Sequence, residues 1–300
     1  MSTITVTSPV AVKPAKPVKE PKPKVAKEKM PWGNPVVYFF ALLLVGICIA
    51  PVLYIVMGGF NSNAGLTNSP ASLPWPMHWR NYVRILSSSA FWGPAWVSIR
   101  AAVITTAGVV VLGVCAAYAL ARYDFKGRSA LYTLFAAGLM FPLSVAIMPL
   151  FTILNQFKML DSMAGLILPG IAFALPTTII ILVPFLQTIP KELEEAAMID
   201  GLSRLGFFGR IAVRLATPGL ITVAVLAFVA SWNGYILPLF VFSTHTPTLP
   251  LASVSLTASQ YSTDTAMLLA YTSMAMLPAI IFFSFFQRHI VGGLTGAVKG

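Results

Sequence analysis

Residues 163–186 read MAGLILPGIAFALPTTIIILVPFL and contain no charged side chain, and the polar segment PKELEEAAMIDG follows at residues 190–201. A membrane-spanning helix needs about 20 apolar residues to cross about 30 Å of hydrocarbon, at about 1.5 Å of rise per residue. The first segment therefore predicts a membrane-spanning helix. The second predicts a water-exposed loop that follows it directly.

Other stretches of the chain have a similar length and apolar character. The composition agrees, because 57% of the 300 residues are hydrophobic and only 10% are charged, against about 25% charged in a typical soluble domain. We therefore expect an all-α, polytopic membrane protein with six transmembrane helices. The predicted spans are Val36–Phe60, Gly93–Leu120, Ala130–Leu154, Met163–Leu186, Thr217–Phe240 and Ala266–Phe286.

Proline occurs inside several of these spans. Each proline removes a backbone donor and tends to kink or interrupt its helix, which a membrane bundle tolerates where neighbouring helices or a cavity satisfy the freed carbonyls. We therefore expect irregular spans. The prolines concerned are Pro142, Pro149, Pro169, Pro176, Pro184, Pro238 and Pro278.

Basic residues are unevenly distributed between the segments that join the spans. The N-terminal tail, the second-to-third loop, the fourth-to-fifth loop and the C-terminal tail carry seven, three, four and two Lys and Arg residues, 16 in all, whereas the other loops carry three. Because cytoplasmic loops are enriched in Lys and Arg, this asymmetry predicts that both termini lie in the cytoplasm. The net charge is +11. Because the basic residues lie mainly in the N-terminal tail and beside the apolar spans, membrane topology accounts for this charge, and we expect no nucleic-acid partner.

The spans divide the chain into three regions. Residues 1–34 are rich in Lys and Pro, lack the apolar run of a signal peptide, and predict a disordered cytoplasmic tail attracted to anionic lipid. Residues 35–287 form the predicted membrane domain. Residues 288–300 form a short C-terminal tail, also predicted to be cytoplasmic.

The loop after the fourth span predicts two short helices joined by a bend. Pro190 suits the first turn of a helix, Gly201 suits a left-handed C-terminal cap, and Ser203 suits the N-cap of a second helix. In that second helix Arg210 and Arg214 lie on a face apart from the apolar residues Phe207, Phe208, Ile211 and Leu215. The early turns of the first helix carry carboxylates that complement the helix dipole, at Glu192, Glu194 and Glu195.

This loop resembles the EAA loop of binding-protein-dependent ABC importer permeases. The resemblance rests on residues 195–197, Glu-Ala-Ala, with Gly201 following after three residues. The neighbouring Asp200, Phe208 and Pro218 fit the carbohydrate branch of that family, the maltose-type permeases. The sequence departs from that branch at Arg214, where a proline is usual. Residues 117–122 and 125–128 resemble the end of the branch's second helix, and residues 293–300 resemble the tail of its shorter permease subunit.

The resemblance implies a type I ABC importer permease fold and a mechanism of alternating access. The implied partners are a second homologous permease, two ATP-binding-cassette ATPase subunits, an extracytoplasmic sugar-binding protein and the bilayer of the bacterial cytoplasmic membrane. The implied cargo is a carbohydrate, most naturally a di- or oligosaccharide. Residues 187–216 would form the coupling loop, although an amphipathic loop that only connects two spans is the simpler alternative. The implied ATPase-coupling residues are Glu194, Glu195, Ala196, Ala197, Asp200, Gly201 and Phe208.

The fifth span contains the polar and aromatic segment Ser-Trp-Asn-Gly-Tyr at residues 231–235. Amides and hydroxyls hydrogen-bond to sugars, and aromatic rings stack on sugar faces, so Trp232, Asn233 and Tyr235 are candidates for the substrate path. Helix–helix packing is the alternative. Arg100, in the second span, is either a substrate contact or an anchor that reaches the outer interface. Weaker candidates are Thr105, Thr106, Asn155 and Gln156.

Several functional classes find no support in the sequence. No G-x-x-x-x-G-K-[ST] phosphate loop occurs, so we expect no ATP binding and no enzymatic activity in this chain. The histidines are far apart, and Cys48 and Cys115 lie in apolar runs, so we expect neither a metal nor a cofactor. A channel or secondary transporter that works without ATPase subunits remains the alternative function, and a membrane scaffold is a further one.

Overall fold

The computed structural model of the protein describes residues 35–70, 73–242, 247–255 and 264–298. The predicted tail of residues 1–34 lies outside these ranges. The chain divides into two compact units, residues 1–47 and residues 48–300. The described part of the first unit is the beginning of helix α1, whose apolar side chains are exposed. All other elements belong to the second unit.

Four helices are long and apolar enough to cross a membrane. The number of candidate spans is six when each of two bent helix pairs, Arg128–Gly138 with Leu143–Gln156 and Arg204–Leu215 with Thr217–Trp232, counts as one span. The protein is therefore an all-α polytopic membrane protein, as its composition predicts, and no strand occurs in the described ranges. The four long helices are α1 (Pro35–Gly59), α4 (Ser89–Arg122), α7 (Met163–Gln187) and α14 (Thr265–Val298).

The third predicted span is a bent pair and not one continuous helix. Helix α5 (Arg128–Gly138) and helix α6 (Leu143–Gln156) meet at an angle of 104°. Pro142 stands at the break with an extended backbone, at φ −74° and ψ 138°. Proline also disfavours helical geometry in the residue before it, here Phe141. The backbone therefore cannot pass from α5 into α6 as one continuous helix.

The fifth predicted span is also interrupted, and its prediction as one helix to Phe240 is wrong. Helix α11 (Thr217–Trp232) ends before Asn233, and a separate short helix, α12 (Ile236–Val241), follows. Gly234 lies in this gap, and glycine weakens a helix because of its backbone entropy. The break places residues 233–235 in irregular backbone.

The other prolines that we expected to interrupt helices lie within continuous ones. Pro149 is inside α6, Pro278 is inside α14, and α7 contains three prolines along its length. Helix α14 also continues to Val298, beyond the predicted end of the last span. Proline content alone therefore did not locate the breaks.

Close packing between α4, α7 and α11 forms the core of the second unit. Gly113 of α4 lies so near α7 that an added Cβ would be 2.3 Å from Cγ2 of Thr178. Small residues at helix contacts allow this close approach in membrane proteins. The apolar cluster between the three helices includes Val114, Ala117, Leu120, Ile179, Leu182, Leu186 and Val223.

Short helices occupy the segments beside the ends of the spans. These helices are α2 (Asn63–Asn68), α3 (Arg80–Leu86) and α13 (Leu249–Ser255). The Tyr82 hydroxyl of α3 donates to the Val56 carbonyl at 2.9 Å and lies 3.0 Å from Ser273 Oγ of α14. Burial raises the pKa of Tyr82, and the hydrogen bond with Ser273 partly offsets that rise. The side chain therefore ties three helices together in its neutral form.

The aromatic residues of this region divide into two groups. Tyr82 packs against neighbouring helices, whereas four tryptophans are exposed on the protein surface. An amphipathic aromatic ring favours the membrane interface, so these positions suit contact with lipid. The exposed tryptophans are Trp75, Trp79, Trp92 and Trp96.

Candidate functional site: a helical elbow and an uncharged cavity

The first half of the loop after α7 is a nine-residue helix, α8 (Lys191–Ile199). Pro190 precedes this helix as its N-cap, one residue earlier than the predicted first turn. Gly201 adopts φ +85°, its N–H donates to the Met198 carbonyl at 3.0 Å, and the next N–H, from Leu202, donates to the Ala197 carbonyl at 2.9 Å. These two bonds form a Schellman motif. The predicted left-handed cap at Gly201 is confirmed.

The second half of the loop is a helix with a π-helical segment in its middle. Helix α9 (Arg204–Phe207) is followed by π-helical residues Phe208–Ala212 and by helix α10 (Val213–Leu215). The Ser203 hydroxyl accepts a hydrogen bond from Gly206 N at 3.1 Å, which confirms the predicted N-cap. Arg214, where a proline was expected from the resemblance, lies in α10 and is exposed. We call residues 190–215 the elbow.

Phenylalanine side chains attach the second half of the elbow to the protein core. Phe207 is fully buried, and the ring of Phe208 lies 4.7 Å from that of Tyr118 in α4. Leu215, predicted on the same apolar flank, is instead half exposed. Arg210 is exposed, as a charged face requires.

A buried ion pair attaches the first half of the elbow. Nη2 of Arg122, at the end of α4, lies 2.9 Å from Oε2 of Glu194, and its Nε donates to the same oxygen at 3.0 Å. The side chains are only 4% and 15% exposed. Nη1 of Arg122 donates to the Ile189 carbonyl at 2.6 Å, and its Nη2 also donates to the Pro190 carbonyl at 3.4 Å. Glu194 is therefore bound within its own chain.

The residues of the predicted coupling set separate into two faces of the elbow. Glu195 follows Glu194 directly but is exposed, because consecutive residues of a helix point about 100° apart. The outer face also carries exposed apolar side chains, with Ile199 86% and Leu205 82% exposed. The face toward the protein holds Glu194, Ala197 and Phe208, and the outer face holds Glu195, Ala196, Asp200 and Gly201.

A cavity of about 650 Å³ lies at the end of α11, where the fifth predicted span is interrupted. Residues from α4, α6, α7, α11 and α12 line it, and none of these residues carries a charge. Its size falls in the range of about 300–1,000 Å³ that small-molecule sites occupy. The polar lining residues are Thr105, Thr177, Thr178, Ser231, Asn233 and Tyr235.

The candidates for the substrate path fall in different places. Asn233 and Tyr235 line the cavity and are exposed. Trp232 is 2% exposed and absent from the lining, its Nε1 donates to the Ala275 carbonyl at 3.1 Å, and its ring stacks on Phe228. The end of α11 thus places Trp232 in the core and Asn233 at the cavity, although both belong to the same predicted motif.

The other candidates from the sequence are also separated. Thr105 lines the cavity, whereas Thr106, Asn155 and Gln156 do not. Arg100 is exposed, does not line the cavity, and lies 5.9 Å from the ring centre of Trp96. Its position one turn from an exposed tryptophan suits an interfacial anchor.

The α7 wall of the cavity contains none of the candidate residues predicted from the sequence. Thr177 and Thr178 line it from α7, and they are the only two hydroxyl-bearing residues in the otherwise apolar stretch 163–186. This isolated polar pair is the sequence feature that could have indicated a polar cavity wall on α7. Phe173, which also lines the cavity, carries no comparable signal in an apolar span.

An uncharged cavity among candidate membrane spans, with a helical elbow after one of them, fits the class of membrane transport proteins. The chain belongs to the family described as the binding-protein-dependent transport system inner membrane component, whose family model matches residues 109–295. It is thus a membrane-spanning permease subunit of an ABC importer. In such importers ATP hydrolysis belongs to separate subunits. This family membership favours the importer over a channel or secondary transporter without ATPase subunits.

Curated relatives cover nearly the whole chain. The trehalose transport system permease protein SugB of Mycobacterium tuberculosis is 38% identical over 86% of this chain and 95% of its own length. The diacetylchitobiose uptake system permease protein NgcG of Streptomyces coelicolor is 34% identical over 83% of each chain. The trehalose/maltose transport system permease protein MalG of Thermococcus litoralis is 32% identical over 87% of this chain and 95% of its own.

A solved structure shares the fold. It is a bacterial ABC transporter involved in the import of the acidic polysaccharide alginate, and one of its chains superposes with a TM-score of 0.73 at 22% identity. The match covers 85% of this chain and 95% of that chain. The importer permease fold is therefore established for this protein.

Proposed function

We propose that this permease subunit translocates a carbohydrate, a di- or oligosaccharide, by alternating access. The observation that carries the proposal is the cavity at the break between α11 and α12. Its lining offers hydroxyl and amide groups from Thr105, Ser231, Asn233 and Tyr235 beside apolar surface, and it contains no charge. Such a lining suits a neutral, hydroxyl-rich ligand, and the named relatives include permeases for trehalose, diacetylchitobiose and maltose.

The elbow is the proposed docking site for an ATPase subunit. Its outer face combines the exposed carboxylates of Glu195 and Asp200 with the exposed apolar side chains of Ile199 and Leu205. A surface that joins apolar anchors to charges is typical of a protein interface. Glu195 would pair with a basic residue of the ATPase through charge-assisted hydrogen bonds, and Ala196 is small enough to allow close approach.

The proposed assembly contains a second homologous permease, two ATPase subunits and an extracytoplasmic sugar-binding protein. The proposed location is the bacterial cytoplasmic membrane, with the elbow and both termini in the cytoplasm. The uneven distribution of Lys and Arg supports this orientation. In the same division of the chain, residues 1–34 and 288–300 are cytoplasmic tails, and residues 35–287 form the permease domain.

Co-purification tests the assembly. An affinity-tagged chain, expressed with its genomic neighbours and solubilised in detergent, is expected to bring down an ATPase and a second permease. The complex in proteoliposomes, with ATP and the binding protein, is expected to take up at least one labelled neutral sugar from a panel that includes trehalose, maltose and diacetylchitobiose. Isolation of the chain without any ATPase would contradict the proposed function.

Asn233→Ala is expected to reduce uptake of the transported sugar about fivefold to 150-fold, since loss of one hydrogen-bonding partner at a binding site costs about 1–3 kcal/mol. Because Asn233 is exposed at the cavity, thermal stability in detergent should change little. The measurement is initial uptake rate against sugar concentration. The matched control is Asn155→Ala, which removes an exposed amide outside the cavity lining. Equal uptake by both variants would remove Asn233 from the substrate path.

A further inference from the structure

Helix α8 has little apolar attachment to the rest of the protein. Of its nine residues only Ala197 is buried, and the methyl group of alanine contributes a small contact area. A polar cleft of about 340 Å³ lies beside its start, lined by residues that include Arg122, Gln187 and Lys191. The packing that holds the second half of the elbow, through the fully buried Phe207, has no equivalent in α8.

Arg122 supplies the attachment that apolar packing does not. Its guanidinium donates to the Glu194 carboxylate and to two backbone carbonyls, those of Ile189 and Pro190, immediately before α8. Its Cζ also lies 5.9 Å from the ring centre of Phe207. One side chain thus contacts the chain before α8, α8 itself and the second half of the elbow.

The character of these contacts matters for movement. Apolar contacts have no preferred direction, so packed helices can slide against one another. Hydrogen bonds are directional, and the planar guanidinium holds several acceptors in a fixed geometry. The low exposure of both side chains, 4% and 15%, limits competition from water.

Arg122 is also the last residue of α4, which continues for 34 residues from Ser89. The same helix lines the cavity through Thr105. A displacement of α8 that moves Arg122 is therefore transmitted along α4 to the cavity wall at Thr105.

We infer that Arg122 is a positioning residue that makes α8 and α4 move together, so that movement of the elbow reaches the cavity through the Arg122–Glu194 ion pair. This inference rests on the proposed docking of an ATPase at the elbow. It assigns different tasks to two adjacent carboxylates: Glu195 faces the ATPase, and Glu194 holds the elbow to α4. ATP hydrolysis takes place in other subunits, so the ion pair takes no part in its chemistry.

The test uses a reporter cysteine in the cavity and needs no knowledge of the sugar. Ala230→Cys is introduced with Cys48→Ala and Cys115→Ala, because Ala230 lines the cavity and both natural cysteines are exposed. In the complete complex in proteoliposomes, the rate of maleimide labelling is measured with and without ATP and vanadate, beside the rate of ATP hydrolysis. Alternating access predicts that nucleotide trapping changes the labelling rate of this parent.

Arg122→Gln is expected to reduce the nucleotide-dependent change in labelling at least fivefold, while ATP hydrolysis stays within about twofold of the parent. Arg122→Lys should restore part of the change, because it keeps the charge but cannot reach all three acceptors. The matched control is Asp124→Asn, which breaks the exposed ion pair with Arg128 and should leave both rates unaltered. A purely structural role would lower assembly, hydrolysis and labelling together.

The outcomes separate the two proposals. A parent complex whose labelling does not respond to nucleotide overturns both the coupling function and the role of Arg122. A responsive parent with an equally responsive Arg122→Gln overturns the role of Arg122 alone. Should Arg122→Gln fail to assemble, the isosteric Glu194→Gln decides: unchanged coupling in that variant overturns the inference, and a reduced response at normal hydrolysis supports it.

Discussion

Glu195→Arg is expected to lower ATP-driven uptake at least 30-fold. The side chain is exposed on the outer face of the elbow, where the proposed ATPase contact would lose an ion pair and gain a repulsion. Removal of one partner from a hydrogen-bonded interfacial charge pair costs about 2–5 kcal/mol, which corresponds to about 30-fold to several thousand-fold in affinity. The measurements are recovery of the ATPase with the tagged permease and uptake in proteoliposomes.

Two control variants separate docking from general charge effects. Glu195→Gln keeps the shape and should weaken uptake less than Glu195→Arg does. Asp124→Arg makes the same change of charge outside the elbow, at an exposed carboxylate, and should leave uptake near the parent value. Normal ATPase recovery and normal uptake in Glu195→Arg would show that this carboxylate does not face the ATPase.

Trp232→Ala is expected to destabilise the protein by about 3–5 kcal/mol, as large-to-small changes at buried aromatic residues do. The side chain is 2% exposed, donates to the Ala275 carbonyl of α14 and stacks on Phe228. Its loss would leave a cavity and a carbonyl without its donor. Thermal unfolding in detergent should therefore shift strongly downward, and less complex should be recovered.

Variants of related tryptophans test this assignment. Trp232→Phe keeps an aromatic ring beside Phe228 but loses the hydrogen bond and part of the buried ring area, so it should destabilise the protein less than Trp232→Ala does. Trp96→Ala removes a tryptophan that is 59% exposed and should shift unfolding little. A Trp232→Ala protein that unfolds normally but does not transport would return Trp232 to the substrate path.

Features that depend on neighbouring residues were predictable from the sequence. The caps at Gly201 and Ser203 follow from local backbone geometry and short side-chain bonds, so the bend of the elbow could be derived residue by residue. The membrane spans were equally accessible, because a long apolar stretch has one physical solution in a bilayer. The family resemblance at residues 195–201 agrees with the family match over residues 109–295.

The interruptions of the spans were harder to predict. Pro142 stands at a break, yet Pro149 and Pro278 lie inside continuous helices. The break after Trp232 occurs at Asn233-Gly234-Tyr235, which contains no proline. A proline removes one donor in any sequence, but only the packing of neighbouring helices determines whether the chain changes direction there.

The roles of adjacent residues were decided by tertiary structure. Glu194 and Glu195 are chemically the same, but α8 presents them in different directions, and Arg122, 72 residues earlier, lies where it can bind Glu194 and not Glu195. Trp232 and Asn233 share a sequence motif, yet α14 buries the first and the cavity receives the second. The sequence by itself determined the membrane helices and the bend of the elbow, because these depend on apolar length and local backbone geometry. Only the tertiary structure decided which side chains face the core, the cavity or a partner, because that depends on contacts between residues far apart in the chain.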